Sequence, residues 1–344
     1  MSRILPAGGV GTHVQSMKSA MLLCAALACS PLWAQAPVSP PTSTSSATAK
    51  SIVVTLLGTA GPSMNIERPE SGTLIQAGTE TLLIDCGRGV PEQLVKIGVR
   101  GVSKVFLTHL HSDHTEGLPI LWMSGWNGRD GRLSVWGPGT GQDQPTGTVG
   151  LTQALATAFA TNTHIRRDMV EKWPGEKIII EGHDIDEGVV YDHNGVKVTA
   201  FRVAHEPVAP AYGYRVDYAG HSVVVSGDTR PSDNLVKFSK GVDVLIHEVF
   251  GAGAAGRGGA APLPPPPGDG ATAQRGGAPA AYHTSPEEAA GVFKRAAPRL
   301  ALYSHIAPNP FDPTERTRAA GYDGPLQVGK DLMVITIGES IGVK

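Results

Sequence analysis

Three histidines and an aspartate fall within six positions of the stretch Thr108–His109–Leu110–His111–Ser112–Asp113–His114. The stretch follows the apolar, β-prone run Val105–Phe106–Leu107 and precedes Gly117–Leu118–Pro119, so the polar cluster is expected at a strand end entering a turn. Strand side chains repeat every two residues, so if the chain is still extended there His109 and His111 leave one face and share a cation. Asp113 and His114 lie past the break in periodicity, where a turning backbone aims them at a neighbouring position. Imidazole nitrogen and carboxylate oxygen suit zinc, and the pattern His-x-His-x-Asp-His reads as half of a two-metal site.

Further donors stand at the ends of other expected strands. His205 follows Phe201–Arg202–Val203–Ala204, Asp228 follows Val223–Val224–Val225–Ser226–Gly227, and His305 follows Leu300–Ala301–Leu302–Tyr303–Ser304. A carboxylate bridges two cations, which makes Asp228 the natural shared ligand. His205 then completes the site of His109 and His111, and His305 that of Asp113 and His114. The expectation is spatial: these donors converge around cations less than about 4 Å apart. His13, His164, His183, His193 and His221 have no strand-end context and receive no role.

The elements that must position these residues are legible as apolar runs. Ile52–Leu57, Thr73–Gln76 and Thr81–Asp85 read as strands, Pro91–Ile97 as a helix, Leu133–Trp136 as a strand and Leu151–Asn162 as a helix. In the second half, Val196–Val203, Tyr212–Asp217 and Ser222–Ser226 read as strands, followed by a short helix at Leu235–Ser239 and a strand at Val242–His247. Ser285 caps a helix entered by Pro286, with Glu288 closing a capping box, and strands at Arg299–Ser304 and Leu332–Ile337 end the chain. Two halves of similar content predict an α/β protein in which two sheets pack face to face with helices outside.

The chain has 344 residues, 41% of them hydrophobic, ample for one large catalytic domain over 51–344. Its formal charge of −2 becomes −4 without residues 1–36, which hold Arg3, Lys18 and no acid. Such a balance is poorly suited to bulk attraction of a polyanion such as tRNA. Met17–Lys18, the apolar Ser19–Ala28 and the small-x-small Ala34–Gln35–Ala36 predict a secretory signal within 1–36, with Met17 as an alternative start. The apolar run falls short of a span of about 20 residues, so no stable membrane span is expected. The expected destination is periplasmic or secreted, with a lipoprotein anchor at Leu27–Ala28–Cys29 as the minor alternative. Cleavage after Ala36 leaves Cys86 alone, so no intrachain disulfide forms, and Cys86 is read as a small buried residue. Residues 37–50 read as a flexible linker and 251–280 as a Gly/Pro-rich insertion, either a flap over the site or a solvent loop.

The histidine stretch, together with Ser226–Gly227–Asp228–Thr229, Leu245–Ile246–His247–Glu248 and His283–Thr284–Ser285–Pro286–Glu287–Glu288–Ala289, resembles the metallo-β-lactamase superfamily, in its ribonuclease Z and arylsulfatase-like branch. Trp126, Gly128–Arg129, Val135–Gly139 and Ala211–Val216 resemble its secreted arylsulfatase-type members. The resemblance implies a four-layer αβ/βα sandwich with a di-zinc centre at one edge, and it supports the seven ligand roles above. Two zinc ions per chain would generate hydroxide from a bridging water and clamp an anionic ester, although the donor set also accepts manganese or iron.

The resemblance further implies that His283 contacts the scissile group and protonates the leaving oxygen, that Asp113 serves catalysis as well as ligation, and that His247 and Glu248 orient a ligand or His283. Asp85 either supports the histidine stretch or caps locally. Trp122 and Trp126 either stack on an aromatic leaving group or fill the core. The implied activity is hydrolysis of small anionic esters by an exported enzyme, aryl sulfates ahead of phosphodiesters. The alternatives are a phosphodiesterase or ribonuclease Z-like nuclease and a non-catalytic metal-binding module, with a lactamase or lactonase further back. The tRNA-processing members carry a long arm between the residues matching His205 and Asp228, whereas 206–227 here hold only a strand pair, which argues against tRNA as a partner. A homodimer is implied by resemblance alone.

Overall fold

Alternate residues of single strands face different apolar layers, and this dictates the architecture. On one strand Leu82 and Ile84 join one core and Leu83 another; Val223 and Val225 are likewise separated from Val224, and Leu300 and Leu302 from Ala301 and Tyr303. Strands buried on both faces belong to a sheet covered on both sides. The computed structural model describes residues 50–62, 65–251, 282–307 and 311–344. The expected signal segment, most of the linker and all of the insertion except Gly251 lie outside the described residues.

The first half runs β1 (Ile52–Gly58), β2 (Gly72–Ala77), β3 (Glu80–Ile84), α1 (Val90–Lys96), β4 (Lys104–Phe106), α2 (Ser112–Thr115), α3 (Leu118–Ser124), β5 (Leu133–Pro138), α4 (Thr148–Ala158), α5 (Ala160–His164) and β6 (Ile180–Ile185). The second runs β7 (Gly188–His193), β8 (Val196–Arg202), β9 (Tyr212–Tyr218), β10 (His221–Val225), α6 (Asp233–Ser239), β11 (Val244–Phe250), α7 (Pro286–Ala296), β12 (Leu300–Ala307), α8 (Thr314–Ala319), β13 (Leu326–Val328), β14 (Val334–Ile337) and β15 (Ile341–Val343). An eight-stranded sheet has the order β15-β14-β1-β2-β3-β4-β5-β6, and a seven-stranded sheet the order β13-β12-β11-β10-β9-β8-β7. One core lies between the sheets, a second packs α1 and α3 on the first sheet, and a third packs α6 and α7 on the other. This is the α/β sandwich expected from the sequence. Each fully buried Leu, Ile or Val contributes about 1.5–3 kcal/mol, so a one-residue slip of β3, which would exchange its inner and outer residues, is strongly disfavoured.

Within each sheet one segment is parallel, β3-β4-β5-β6 in the first and β10-β11-β12-β13 in the second. The carboxyl ends of these parallel strands are where open α/β sheets build sites, and the donors of interest follow or lie near them. Two bonds sew the sheets together there: Tyr212 N donates to Thr108 O at 2.9 Å, and the buried Tyr214 hydroxyl to Leu107 O at 2.8 Å. Gly227, at φ 61°, lies between them, where a Cβ would stand 2.7 Å from Tyr212 O and 2.9 Å from the Thr108 Cβ.

Several elements differ from expectation. β4 stops at Phe106, so His109 and His111 lie beyond the strand, and Asp113 and His114 sit on the one-turn helix α2. Leu118–Pro119 opens α3, because proline in the first turn starts a helix as readily as it marks a turn. The expected helix at Leu151–Asn162 begins earlier, at Thr148, and divides into α4 and α5. Edge strands β6 and β7 carry little apolar pattern because much of their surface faces solvent. The Ser285 capping box on α7 is present.

A polar tie joins the two sheets away from the donors. Glu80 on β3 accepts from the Tyr191 hydroxyl and from Asn194 Nδ2, both at 2.6 Å, and pairs with Lys104 Nζ at 2.9 Å. Burial by itself raises the Glu80 pKa, but these partners outweigh it and hold the group below its ordinary 4.5. A depressed folded pKa gives stabilisation that is present above the ordinary carboxylate range and lost as pH falls through the folded value. Glu80→Gln is therefore expected to cost about 2 kcal/mol near neutral pH in urea unfolding and to flatten the acid limb of the stability curve. An unchanged acid limb would remove Glu80 from that role.

Candidate metal centre

All seven expected donors meet at the sheet edge. His109, His111, His205 and Asp228 form one group, and Asp113, His114 and His305 another, the candidate ligand atoms within each lying no more than 4.8 Å apart. Asp228 reaches both groups: Oδ2 is 3.7 Å from His109 Nε2 and 3.5 Å from His114 Nε2, and Oδ1 is 3.4 Å from His305 Nδ1. All are buried except His111, which is partly open.

His305 arrives differently from expectation. β12 runs past it to Ala307, and the strand keeps its pairing by an irregularity opposite β11, with His305 itself at φ 45°. A bulge re-aims one side chain without ending the strand, and the left-handed backbone of a non-glycine residue is tolerated where the surroundings over-determine it.

Hydrogen bonds orient the rings. His205 Nδ1 donates to Tyr282 O at 3.0 Å, and His114 Nδ1 to Asp85 Oδ2 at 2.8 Å, which leaves both Nε2 atoms for the cluster. The Thr108 hydroxyl donates to Asp85 and accepts from His109 Nδ1 at 3.1 Å, turning a third Nε2 inward. Asp85 also accepts from Thr108 N at 2.8 Å, so it both caps the backbone and supports two histidines. Outer partners of this kind fix tautomer and ring orientation in metal sites.

The donor groups suit a bound cation. Buried His114 Nε2, His205 Nε2, Asp228 Oδ1 and His305 Nδ1 have no hydrogen-bond partner among the described residues, a costly arrangement unless something else satisfies them. Burial pushes His205 down to about 4 and His109 well below its ordinary value, so both offer neutral lone pairs near neutral pH. Although burial also opposes a charged His305, Asp228 and Asp113 push it up to about 9, and Asp85, Asp228 and Asp113 likewise raise His114. The second group thus carries a field that favours positive charge. Nitrogen and carboxylate donors in this buried setting fit a borderline metal.

His283 lies beside the donors, buried, with Nδ1 donating to Glu248 Oε1 at 3.1 Å and standing 3.9 Å from Asp228 Oδ2. Burial works against its charged form, yet Glu248 and Asp228 outweigh it and raise the imidazole above its ordinary value. Glu248 Oε1 also accepts from Thr229 N at 3.0 Å and Thr284 N at 3.1 Å, so one carboxylate ties the Asp228 loop to the His283 loop. His247 is placed otherwise. Alternation on β11 turns its ring onto Phe293 of α7, its Nδ1 bonds to Glu248 O at 2.6 Å, and no described bond joins it to His283 or a donor.

Trp122 and Trp126 are 1% and 2% exposed within the core beneath α3, which removes them from any leaving-group contact. Cys86 is buried. His164, His183, His193 and His221 stand outside both groups, and His13 lies outside the described residues. Thr108, Thr229, Tyr282 and Thr284 have no sequence mark as partners of the site, since a hydroxyl or a main-chain amide or carbonyl carries no signature of its own.

Layered sheets with paired donor groups at one edge define a metallohydrolase architecture. Residues 80–306 match the family described as "Beta-lactamase superfamily domain", and the chain is 33% identical over 307 residues to a ribonuclease Z of Mycobacterium sp. (strain KMS), covering 85% of this chain and 99% of that protein. The chain belongs to the metallo-β-lactamase superfamily. Among solved structures it is similar to the metallo-β-lactamase fold protein YhfI from Bacillus subtilis, with TM-score 0.58, 19% identity, and coverage of 85% of this chain and 100% of that one. It is also similar to the short form of human tRNase Z, with TM-score 0.56, 21% identity, and coverage of 83% and 99%.

Proposed function

We propose that this protein is a di-zinc phosphodiesterase of ribonuclease Z-like type, acting on small or unstructured phosphodiesters. The observation that carries the reading is Asp228, one carboxylate reaching both donor groups, with the His283–Glu248 pair beside it. The relatives at 33% identity that bear the ribonuclease Z name favour phosphodiesters, so the expected preference for aryl sulfates gives way to its alternative.

His109, His111 and His205 would hold one zinc, Asp113, His114 and His305 the other, with Asp228 shared. When bound, the pair supplies Lewis acidity at the phosphate oxygens and activates water for in-line attack. His283 presents Nε2 to the substrate because Nδ1 is taken by Glu248, whose carboxylate favours the protonated ring that would serve the leaving oxygen. Glu248 holds that ring at a fixed angle through its bonds to Thr229 and Thr284. Between His205 and Asp228 the chain forms only a short loop and β9–β10, with no projecting arm to grip a folded tRNA. No helix among the described residues is long and apolar enough to cross a membrane. Export of the mature chain, expected from residues 17–36, and a homodimer belong to the same proposal.

Purified protein is expected to cleave bis-nitrophenyl phosphate, to lose that activity to a chelator, and to regain it with zinc, while leaving a precursor tRNA and nitrocefin intact. Turnover of nitrophenyl sulfate alone would return the reading to sulfate esters, and no turnover of any ester would favour a binding module.

A further inference from the structure

His283 is framed by two aromatic rings. Phe250 stacks on the imidazole at 5.4 Å between centroids and 15° between planes, and the His283 ring lies in turn nearly parallel to His305 at 6.0 Å. The Tyr282 ring leans on His283 at 4.9 Å and meets His205 edge-on at 5.3 Å. Phe250 and Tyr282 are both partly exposed, in contrast with the core tryptophans. Phe250 gives a face to His283 and so steadies it. Tyr282 is set by its backbone: its carbonyl accepts from His205 Nδ1, and its neighbours His283 and Thr284 are both held by Glu248. A partly exposed ring on a backbone held at both its own carbonyl and its next two residues, one residue from the proposed proton donor, is preorganised to receive a flat group.

Resting on the phosphoester reading above, we infer that Tyr282 is a specificity residue, whose ring stacks on a planar aromatic group, nucleobase or aryl, carried by the leaving side of the substrate. The placement decides the side. The proton goes from His283 Nε2 to the leaving oxygen, and the ring adjoining that imidazole therefore lies against whatever that oxygen bears. Every nucleobase offers a π-face, so such a platform selects for flatness and tolerates base identity. The opposing explanation is that Tyr282 only covers His205 and His283 from solvent; in that case its loss weakens aromatic and aliphatic ligands alike.

The test is calorimetric binding to the zinc-loaded full chain, which needs no turnover. Phenylphosphonate is expected to bind about tenfold tighter than methylphosphonate, the size of one base-on-aromatic stack. Uridine 5′-monophosphate against ribose 5-phosphate forms the nucleobase arm, and the larger of the two ratios tells aryl from nucleobase. Tyr282→Ala should bring both ratios close to one with methylphosphonate affinity held, and Tyr282→Phe should restore them. The inference is overturned by equal affinities in the wild type, by a ratio that survives Tyr282→Ala, or by an equal loss for both members of a pair. Loss of bis-nitrophenyl phosphate cleavage in the wild type would instead count against the phosphodiesterase reading, and the two failures are read by separate instruments.

Discussion

Asp228→Asn is expected to lower kcat/KM on bis-nitrophenyl phosphate by more than about 100-fold and to reduce retained metal below two ions per chain. Removing an outer partner of a ligand already costs about 10–100-fold in affinity or activity, and Asp228 stands in direct reach of both groups. Asparagine keeps the volume and removes the charge. Burial alone would raise the Asp228 pKa, but His305, His114 and His109 hold it well below the ordinary value, so the charge is what those imidazoles lose. The neutral variant leaves His305 and His114 without their shared counter-ion, and the second group, which depends on Asp228 for much of its negative field, should empty first. Metal analysis after dialysis with parallel kinetics measures this; two retained ions and ordinary turnover would show that Asp228 does not bridge.

His283→Ala separates proton delivery from metal holding. Its loss is expected to slow cleavage of a dinucleotide by about 10²–10⁴-fold, the range for a positioned acid, while nitrophenyl esters, whose leaving group departs without a proton, slow far less. Metal content should stay unchanged, since His283 belongs to neither donor group. A plot of log kcat against leaving-group pKa should steepen in the variant. A parallel shift for good and poor leaving groups would assign His283 to substrate binding.

The stretch 108–114 announces itself because its donors are adjacent in sequence, and His205, Asp228 and His305 because each ends an apolar run. Glu248 and His283 carry no such local mark, and their roles entered through resemblance. Resemblance could not separate His247 from Glu248, since neighbouring residues on a strand take opposite faces and the register decides which face holds the site. Of the two roles the sequence leaves open for Trp122 and Trp126, core filling holds, because α3 and the 3-10 turn after it pack into the layer outside the first sheet. Tyr282, beside the Gly/Pro-rich insertion, attracted no notice.

By itself the sequence determined the layered α/β class, the apolar strands and the candidate donors with their grouping, because hydrophobic period and residue chemistry are local properties. Tertiary structure decided that these distant donors come within reach of one another, that a bulge turns His305 inward, and that Tyr282 holds His205 through a carbonyl. Those outcomes depend on sheet order and register, set by contacts between residues distant along the chain, and no window of sequence contains both partners.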